Sequence, residues 1–185
     1  MVFVCGKEKE RTSDLIYEEI HGFSKAGRVE KIFGKIKAFS LLSKEVIILP
    51  DPGDDPEELL AFFNLFSEVI MVVDSKKLKR EKELASLLNK KDSILVNFEI
   101  KDSIAGKRMK KFLTYGMDKE ADFNIMDISE KEKINFKVSH DGSIVPVWIE
   151  KESDLEESLN RSVIAIAVGV LLGINLVKLT GKMSE

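Results

Sequence analysis

A glycine that follows an apolar segment is the first residue of this sequence whose position suggests chemistry. Gly6 comes directly after Val2-Phe3-Val4-Cys5, and the hydroxyl of Thr12 lies a few residues later. In a glycine-rich turn between a strand and a helix, backbone N–H groups cradle phosphate oxygens, a lysine neutralises phosphate charge and a hydroxyl holds Mg²⁺. Gly6 and Thr12 are therefore candidate nucleotide-binding residues. A lone glycine specifies no phosphate site, however, so an ordinary strand-to-helix loop is the favoured interpretation of Gly6.

The basic side chains beside Gly6 have a similar pair of interpretations. Lys7, Lys9 and Arg11 could attract an anion at the N-terminus of the helix that follows. They alternate with Glu8 and Glu10, which favours solvated charges instead.

Asn97 is the third candidate for nucleotide binding, because it ends another apolar segment, Ser93-Ile94-Leu95-Val96. Its amide could receive the edge of an adenine base. A turn residue at the end of a strand is the favoured interpretation. No catalytic residue is predicted, because no serine, histidine and acid group into a nucleophile arrangement.

The other ionisable and aromatic groups predict no metal site. The acidic cluster lacks the ordered spacing of a calcium loop and suits a helix N-terminus, and two histidines are too few for a metal cluster and are expected at the surface. The single cysteine is expected to be a buried hydrophobe, and the single tryptophan to lie in the core. These residues are Asp51, Asp54, Asp55, Glu57 and Glu58; His21 and His140; Cys5; and Trp148.

The composition predicts a globular domain and excludes several classes of function. The 185 residues are 44% hydrophobic and 33% charged, with a formal net charge of −3. No stretch is basic enough to predict a nucleic-acid partner. The longest apolar run, 163–174, is twelve residues, shorter than the roughly 20 that a membrane span requires. With no predicted signal peptide and one cysteine, we expect a cytoplasmic protein.

Short apolar segments alternate with amphipathic ones over residues 1–120, which predicts a mostly parallel sheet with helices on both faces. Strands are predicted at 2–5, 46–49, 69–73, 93–96 and 111–115. One helix is predicted from a cap at Thr12 or Ser13 through Phe23, with Gly27 at its end or in the loop after it. Further helices are predicted from Pro56 and over 81–89. The segment 29–39 fits a strand or a short helix.

The pattern changes after residue 120. Apolar and polar residues alternate over 123–128, 134–138 and 145–149, with the hairpin signal Asp141-Gly142 before the last of these segments. We therefore predict one α/β three-layer domain over 1–185: a parallel part (1–120), a small antiparallel meander (121–150) and a closing helix (155–176).

Four motifs in this order resemble the central domain of the Mur ligases, which make peptidoglycan precursors, and of the related folylpolyglutamate synthetases. They are Val4-Cys5-Gly6, the strand ending at Asn97, Thr114-Tyr115-Gly116-Met117 with Glu120-Ala121-Asp122, and the run from Arg161 to Ile174; Gly181-Lys182-Met183 is similar to a further family motif. The resemblance implies an ATP-dependent carboxylate–amine ligase fold.

The catalytic motifs of that family are not retained. Its Gly-Thr-Asn-Gly-Lys-Thr loop corresponds here to a stretch in which Lys9 replaces the second glycine and Glu10 replaces the lysine. Carboxylates beside polyphosphate are repulsive by roughly 4 kcal/mol at 4 Å. The family's metal ligands correspond here to two segments, Leu49-Pro50 and Asp74 to Leu78, and its carbamylated lysine falls near Glu81. Its adenine-contacting motif corresponds to Asn97 to Ile100, and its late His-Asn pair to Glu157-Ser158.

Three functional hypotheses follow. The leading one is a degenerate Mur-ligase-like domain without catalysis or cofactor, which acts through a protein partner or as a homo-oligomer in connection with cell-wall precursor synthesis. The alternative is a nucleotide-binding component of an ATP-dependent ligase, with ATP and Mg²⁺ as cofactors and its other domains on other chains or removed. The third is a stand-alone interaction module that inherited only the fold.

Overall fold

In this computed structural model the described residues are 1–21, 23, 26–28, 46–51, 53, 55–73, 78–104 and 110–183. Within them, nine strands form one sheet in the order β2-β3-β1-β4-β5-β6-β7-β8-β9. The strands are β1 Val2–Cys5, β2 Ala26–Arg28, β3 Val46–Pro50, β4 Ile70–Val73, β5 Ser93–Asn97, β6 Lys111–Gly116, β7 Phe123–Glu130, β8 Ile134–His140 and β9 Ser143–Ile149. The helices are α1 Lys9–His21, α2 Pro56–Phe63, α3 Leu78–Ala85, α4 Lys101–Ile104, α5 Leu155–Leu171 and α6 Leu176–Met183.

Strands β1 to β7 are parallel to their neighbours, and β7, β8 and β9 form an antiparallel meander, as predicted. The hairpin between β8 and β9 turns at Asp141 and Gly142, both of which have positive φ angles (47° and 75°). That geometry explains the Asp-Gly pair, because a two-residue hairpin turn needs residues that tolerate the left-handed region.

The two faces of the sheet carry separate apolar clusters, because successive side chains of a strand point to opposite faces. In β1, Val2 and Val4 pack with α1, α5 and α6, whereas Phe3 and Cys5 pack with α2, α3 and α4. The inner face of the meander, including Phe136, joins the first cluster. The predicted α/β architecture with helices on both faces is thus confirmed.

The predicted closing helix is two helices. Gly173 has φ 85°, its N–H donates to Val170 and the N–H of Ile174 donates to Gly169. These two bonds are those of a Schellman motif, which ends a helix at a left-handed glycine. The apolar run therefore ends in a turn, and α6 folds back along α5. Among the described residues, none of the helices combines the length and apolar character that crossing a membrane demands.

Other predicted boundaries were wrong. Helix α1 begins at Lys9, so Thr12 lies inside it, with its N–H bonded to the carbonyl of Glu8 at 2.9 Å, and does not cap it. Phe23 lies beyond this helix and is exposed, and Gly27 belongs to strand β2. The predicted helix 81–89 runs from Leu78 to Ala85. The segment 29–39 lies outside the described residues.

The contact between α5 and α6 predicts a difference between two glycine-to-alanine variants. A Cβ on Gly169 would lie 2.6 Å from a methyl of the buried Leu179, whereas one on Gly181 would meet nothing within 4 Å. We expect Gly169→Ala to destabilise the protein by about 1–2 kcal/mol through overpacking. Gly181→Ala should stabilise it by up to about 1 kcal/mol through helix propensity. Urea denaturation of both variants checks this; equal effects of the same sign would contradict it.

Candidate functional site

The carboxyl ends of β1 and β5 bring two of the three candidate residues to one edge of the sheet. Strand β4 lies between these strands, so Gly6 and Asn97 stand about 10 Å apart across two strand spacings. Thr12 does not join them at the surface, because it is fully buried in α1. Ligands of open parallel sheets bind outside the carboxyl ends of the strands, which makes this edge the candidate site.

The turn after β1 is built around Gly6, whose φ of 132° favours glycine. Its neighbour Lys7 pairs with Glu157, in the first turn of α5, at 2.8 Å between Nζ and Oε1. The hydrogen bond to Glu157 raises the pKa of Lys7 above its ordinary value. The strand-to-helix turn is thereby joined to the closing helix by an exposed ion pair.

A second contact between the same elements is partly buried. Glu8 lies 3.6 Å from Nη1 of Arg161 and 3.7 Å from Nη1 of Arg11. Arg161 is 5% exposed and also pairs with Glu152. A carboxylate of the chain thus faces a buried guanidinium beside the turn where a phosphate cradle would need free cations.

A third ion pair lies after β3. Arg80 of α3 donates two hydrogen bonds to the carboxylate of Asp51, at 2.6 and 2.7 Å. Burial alone would raise the pKa of Asp51, but hydrogen bonds from Arg80 and from the N–H of Gly53, with the nearby charge of Lys9, hold that pKa below its ordinary value. Asp51 is therefore the buried member of an ion pair with the partly exposed Arg80, a role that the acidic cluster in the sequence did not predict.

The capping interpretation of the acidic cluster is confirmed at Asp55, whose carboxylate accepts from the N–H of Glu57 at 2.8 Å at the start of α2. Asp54 lies outside the described residues. Across the described part of the chain, no three acidic, histidine or cysteine side chains group as a metal site.

The strand-end interpretation of Asn97 is also confirmed. Its Oδ1 accepts from the N–H of Glu99 at 2.9 Å and so caps the short 3-10 turn Phe98–Ile100. Beside it is a cleft of about 300 Å³ between the ends of β5 and β6 and the start of α5, lined by Asn97, Phe98, Glu99, Gly116, Met117, Asp118, Glu156 and Asn160.

Sequence reasoning missed the α5 side of this cleft. Glu156 and Asn160 lie four residues apart and so share one face of the helix. That spacing was the available signal. The apolar residues that follow predict only the buried face of α5.

The motif Thr114-Tyr115-Gly116-Met117 with Glu120-Ala121-Asp122 has a structural role. The carboxylate of Asp122 accepts from the N–H and the hydroxyl of Thr114, at 2.8 and 2.7 Å, and the N–H of Asp122 donates to that hydroxyl at 3.1 Å. The hydroxyl of Tyr115 donates to the carbonyl of Val73 at 3.1 Å. The bonds between Thr114 and Asp122 link the end of β6 to the start of β7, where the sheet changes from parallel to antiparallel, and the bond of Tyr115 links the end of β6 to the end of β4.

The remaining single residues are placed as follows. Cys5 is fully buried, as predicted, and His21 is exposed at the end of α1. His140 stacks on Phe123 with 3.8 Å between ring centroids. Trp148 was predicted in the core and is instead 38% exposed, because Val145 and Val147 occupy the inward positions of β9.

Comparison with known proteins places the fold beside those of solved enzymes. No protein-family model and no curated protein matches the sequence. Among solved structures, the chain is similar to the MurF ligase of Thermotoga maritima in complex with ADP, with a TM-score of 0.70 and 11% identity over 97% of this chain and 48% of that one. It is also similar to the UDP-N-acetylmuramoylalanyl-D-glutamyl-2,6-diaminopimelate--D-alanyl-D-alanyl ligase of Acinetobacter baumannii, with a TM-score of 0.72 and 9% identity over 100% of this chain and 45% of that one.

The chain has the fold of a Mur ligase central domain. The MurC ligase of Thermotoga maritima extends the likeness, with a TM-score of 0.66 and 11% identity over 100% of this chain and 44% of that one. The chain spans a little under half the length of these ligases. Within the Mur-ligase-like fold, the ion pairs of Glu8, Lys7 and Asp51 lie around the edge on which the candidate nucleotide-binding residues were predicted.

Proposed function

We propose that this chain is a Mur-ligase-like domain that does not hydrolyse ATP and acts through binding. Its role would be that of a structural or regulatory partner of enzymes that make cell-wall precursors. We further propose that residues 1–185 fold as one domain, since the strands of the parallel part and of the meander belong to one sheet.

The observation that carries this proposal is the pairing of Glu8 with Arg161 beside Gly6. A polyphosphate in this turn would have to displace the carboxylate from the buried guanidinium, and it would meet Glu8 as a like charge. Lys7, another nearby cation, is already paired with Glu157. The residues present therefore do not fit MgATP, and we assign no step of catalysis to them.

The alternative is a nucleotide-binding component of an ATP-dependent ligase. The cleft beside Asn97 favours it, because a volume of about 300 Å³ is near the lower limit for small-molecule sites. The Thermotoga MurF structure of similar fold is a complex with ADP. In this alternative ATP and Mg²⁺ would be cofactors, and the remaining ligase domains would be on other chains or would have been removed.

Nucleotide binding and turnover of the purified chain test both readings. We expect no MgATP hydrolysis above the buffer rate and no saturable binding of ATP or ADP at millimolar concentration, measured by calorimetry and thermal shift. Saturable binding with a Kd of about 100 μM or tighter would stabilise the fold by about 2.7 kcal/mol at 100 times Kd.

Two variants separate the possible outcomes. Binding that Asn97→Ala abolishes but Asn89→Ala leaves intact would favour the alternative, because Asn89 is bonded to Asp92 at the amino end of β5, the opposite end of that strand from Asn97. Hydrolysis that Gly6→Ala abolishes would overturn the non-catalytic proposal, since alanine is strained at a φ of 132°.

A further inference from the structure

The outer face of the meander carries a second cleft, whose lining residues differ from those of the cleft at the carboxyl edge of the sheet. Its volume is about 460 Å³, within the range of small-molecule sites. Ser129, Asn135 and Trp148 lie in one cross-strand row, because Ser129 pairs with Asn135 and Asn135 pairs with Trp148. An indole, an amide and a hydroxyl therefore line one wall.

A β-bulge shapes this cleft. The register of β7 and β8 shifts between Met126 and Ser129, and Asp127 has a φ of 53°, a left-handed conformation for a residue that is not glycine. Bulges bend and twist a strand and re-aim its side chains. The end of β7 therefore departs from the regular ladder at the point where Ser129 joins the row with Asn135 and Trp148.

The turn between β7 and β8 supplies the polar rim. It holds Lys131, Glu132 and Lys133, and is closed by a backbone bond from the N–H of Lys131 to the carbonyl of Lys133 at 3.1 Å. Lys133 also pairs with Glu150 at 2.7 Å. The rim thus mixes donors and acceptors and is close to neutral, which suits an uncharged polar ligand better than a polyanion.

We propose that this cleft binds a pyranose sugar. The apolar C–H face of a sugar ring matches the flat indole of Trp148, which offers a large apolar surface beside a polar surround. Sugar hydroxyls both donate and accept, as do the amide of Asn135 and the hydroxyl of Ser129, while Lys131 donates and Glu132 accepts. The source is a free sugar or the end of a glycan chain, and both present the same ring.

Because Trp148 is the only tryptophan, its fluorescence reports on the cleft directly. The purified chain is titrated with glucose, galactose, mannose and N-acetylglucosamine, and with their β-linked disaccharides; sorbitol, which has the hydroxyls without the ring, is the matched control ligand. We expect a saturable change in emission with a Kd in the low millimolar range for at least one sugar, and none with sorbitol. Tighter binding of the disaccharide would identify a glycan chain as the source, and equal binding a free sugar.

Variants of the cleft complete the test. Asn135→Ala keeps the fluorophore and should weaken binding roughly tenfold, because the partner hydroxyls lose their hydrogen bonds. Trp148→Leu, followed by calorimetry, should abolish it. Ile144→Ala is the control, since Ile144 is exposed on the same strand away from the cleft. No sugar-specific change in any arm, or equal effects of Asn135→Ala and Ile144→Ala, would overturn the proposal.

Discussion

Replacing Arg80 with alanine is expected to lower the free energy of unfolding by about 2–3 kcal/mol. The change leaves the carboxylate of Asp51, which is 5% exposed, without the guanidinium that donates two hydrogen bonds to it. Removing one partner of a fully buried pair costs about 3–5 kcal/mol. Arg80 is about one third exposed (32%), so water screens part of that effect. Urea denaturation measures the difference.

The control for Arg80→Ala is an ion pair of similar length at the surface. Lys137 and Asp127 lie 2.7 Å apart with side chains 46% and 60% exposed. Lys137→Ala is therefore expected to change stability by no more than about 0.5 kcal/mol. If Arg80→Ala proved as mild as Lys137→Ala, the ion pair of Asp51 would be energetically unimportant.

The same ion pair predicts how stability changes in acid. The folded pKa of Asp51 lies below the ordinary value of 3.8, so the unfolded chain binds this proton more readily than the folded one. The contribution of Asp51 is complete above the ordinary value and is lost as the pH falls through the folded pKa. Asp51→Asn should thus be less stable than the parent at neutral pH and approach it in acid; parallel curves across this range would contradict the assignment.

The second large effect is expected at Asp122. Asp122→Ala removes the acceptor of the Thr114 N–H and hydroxyl, and Thr114 is 5% exposed. A buried donor left without an acceptor costs about 1–3 kcal/mol, so we expect a loss of about 2–3 kcal/mol for the two bonds together. Unfolding followed by both Trp148 fluorescence and circular dichroism measures it, and coincident curves would support one folding domain.

Two further variants isolate the interaction of Asp122. Thr114→Val keeps the N–H bond and removes the hydroxyl, for an expected loss of about 1 kcal/mol. The double variant should be less destabilised than the sum of the two single ones, because they share a bond. Strict additivity of Asp122→Ala and Thr114→Val would refute the proposed coupling of these two residues. The control is Asp118→Ala, which loses only an exposed bond to the N–H of Glu120 and should have a small effect.

The fold was predictable where a local pattern decides the structure. Strands β1, β3, β4 and β5 are buried on both faces, so they appear in the sequence as short continuous apolar runs. The meander follows from alternation and the Asp-Gly turn. The prediction that Trp148 lies in the core was wrong, because Val147 and Trp148 are adjacent apolar residues of β9 and the sequence does not show which of them faces inward. The predicted end of the closing helix was also wrong, because the Schellman turn at Gly173 interrupts a segment that is apolar on both sides of the turn.

The candidate site was predictable only in part. Gly6 and Asn97 lie at the same edge because the carboxyl ends of parallel strands meet there. Their positions directly after short apolar segments make this predictable from the sequence. The pairs that surround the edge join residues far apart in sequence: Lys7 and Glu157 are separated by 150 positions, and Asp51 and Arg80 by 29. No periodicity records which lysine meets which glutamate, because that choice depends on the packing of α1 against α5.

The position of β1 in the sheet has a consequence for synthesis on the ribosome. Strand β1 precedes β3 and β4 in the chain, yet it lies between them and pairs with both. At a translation rate of about 5–20 residues per second, roughly 3–13 s separate the synthesis of β1 from that of β4. During this delay Val2, Phe3 and Val4 lack first both of their neighbouring strands and then, once β3 has been made, still lack β4. The nascent chain should therefore be most prone to aggregation, and most dependent on chaperones that bind apolar segments, before residue 73 has emerged.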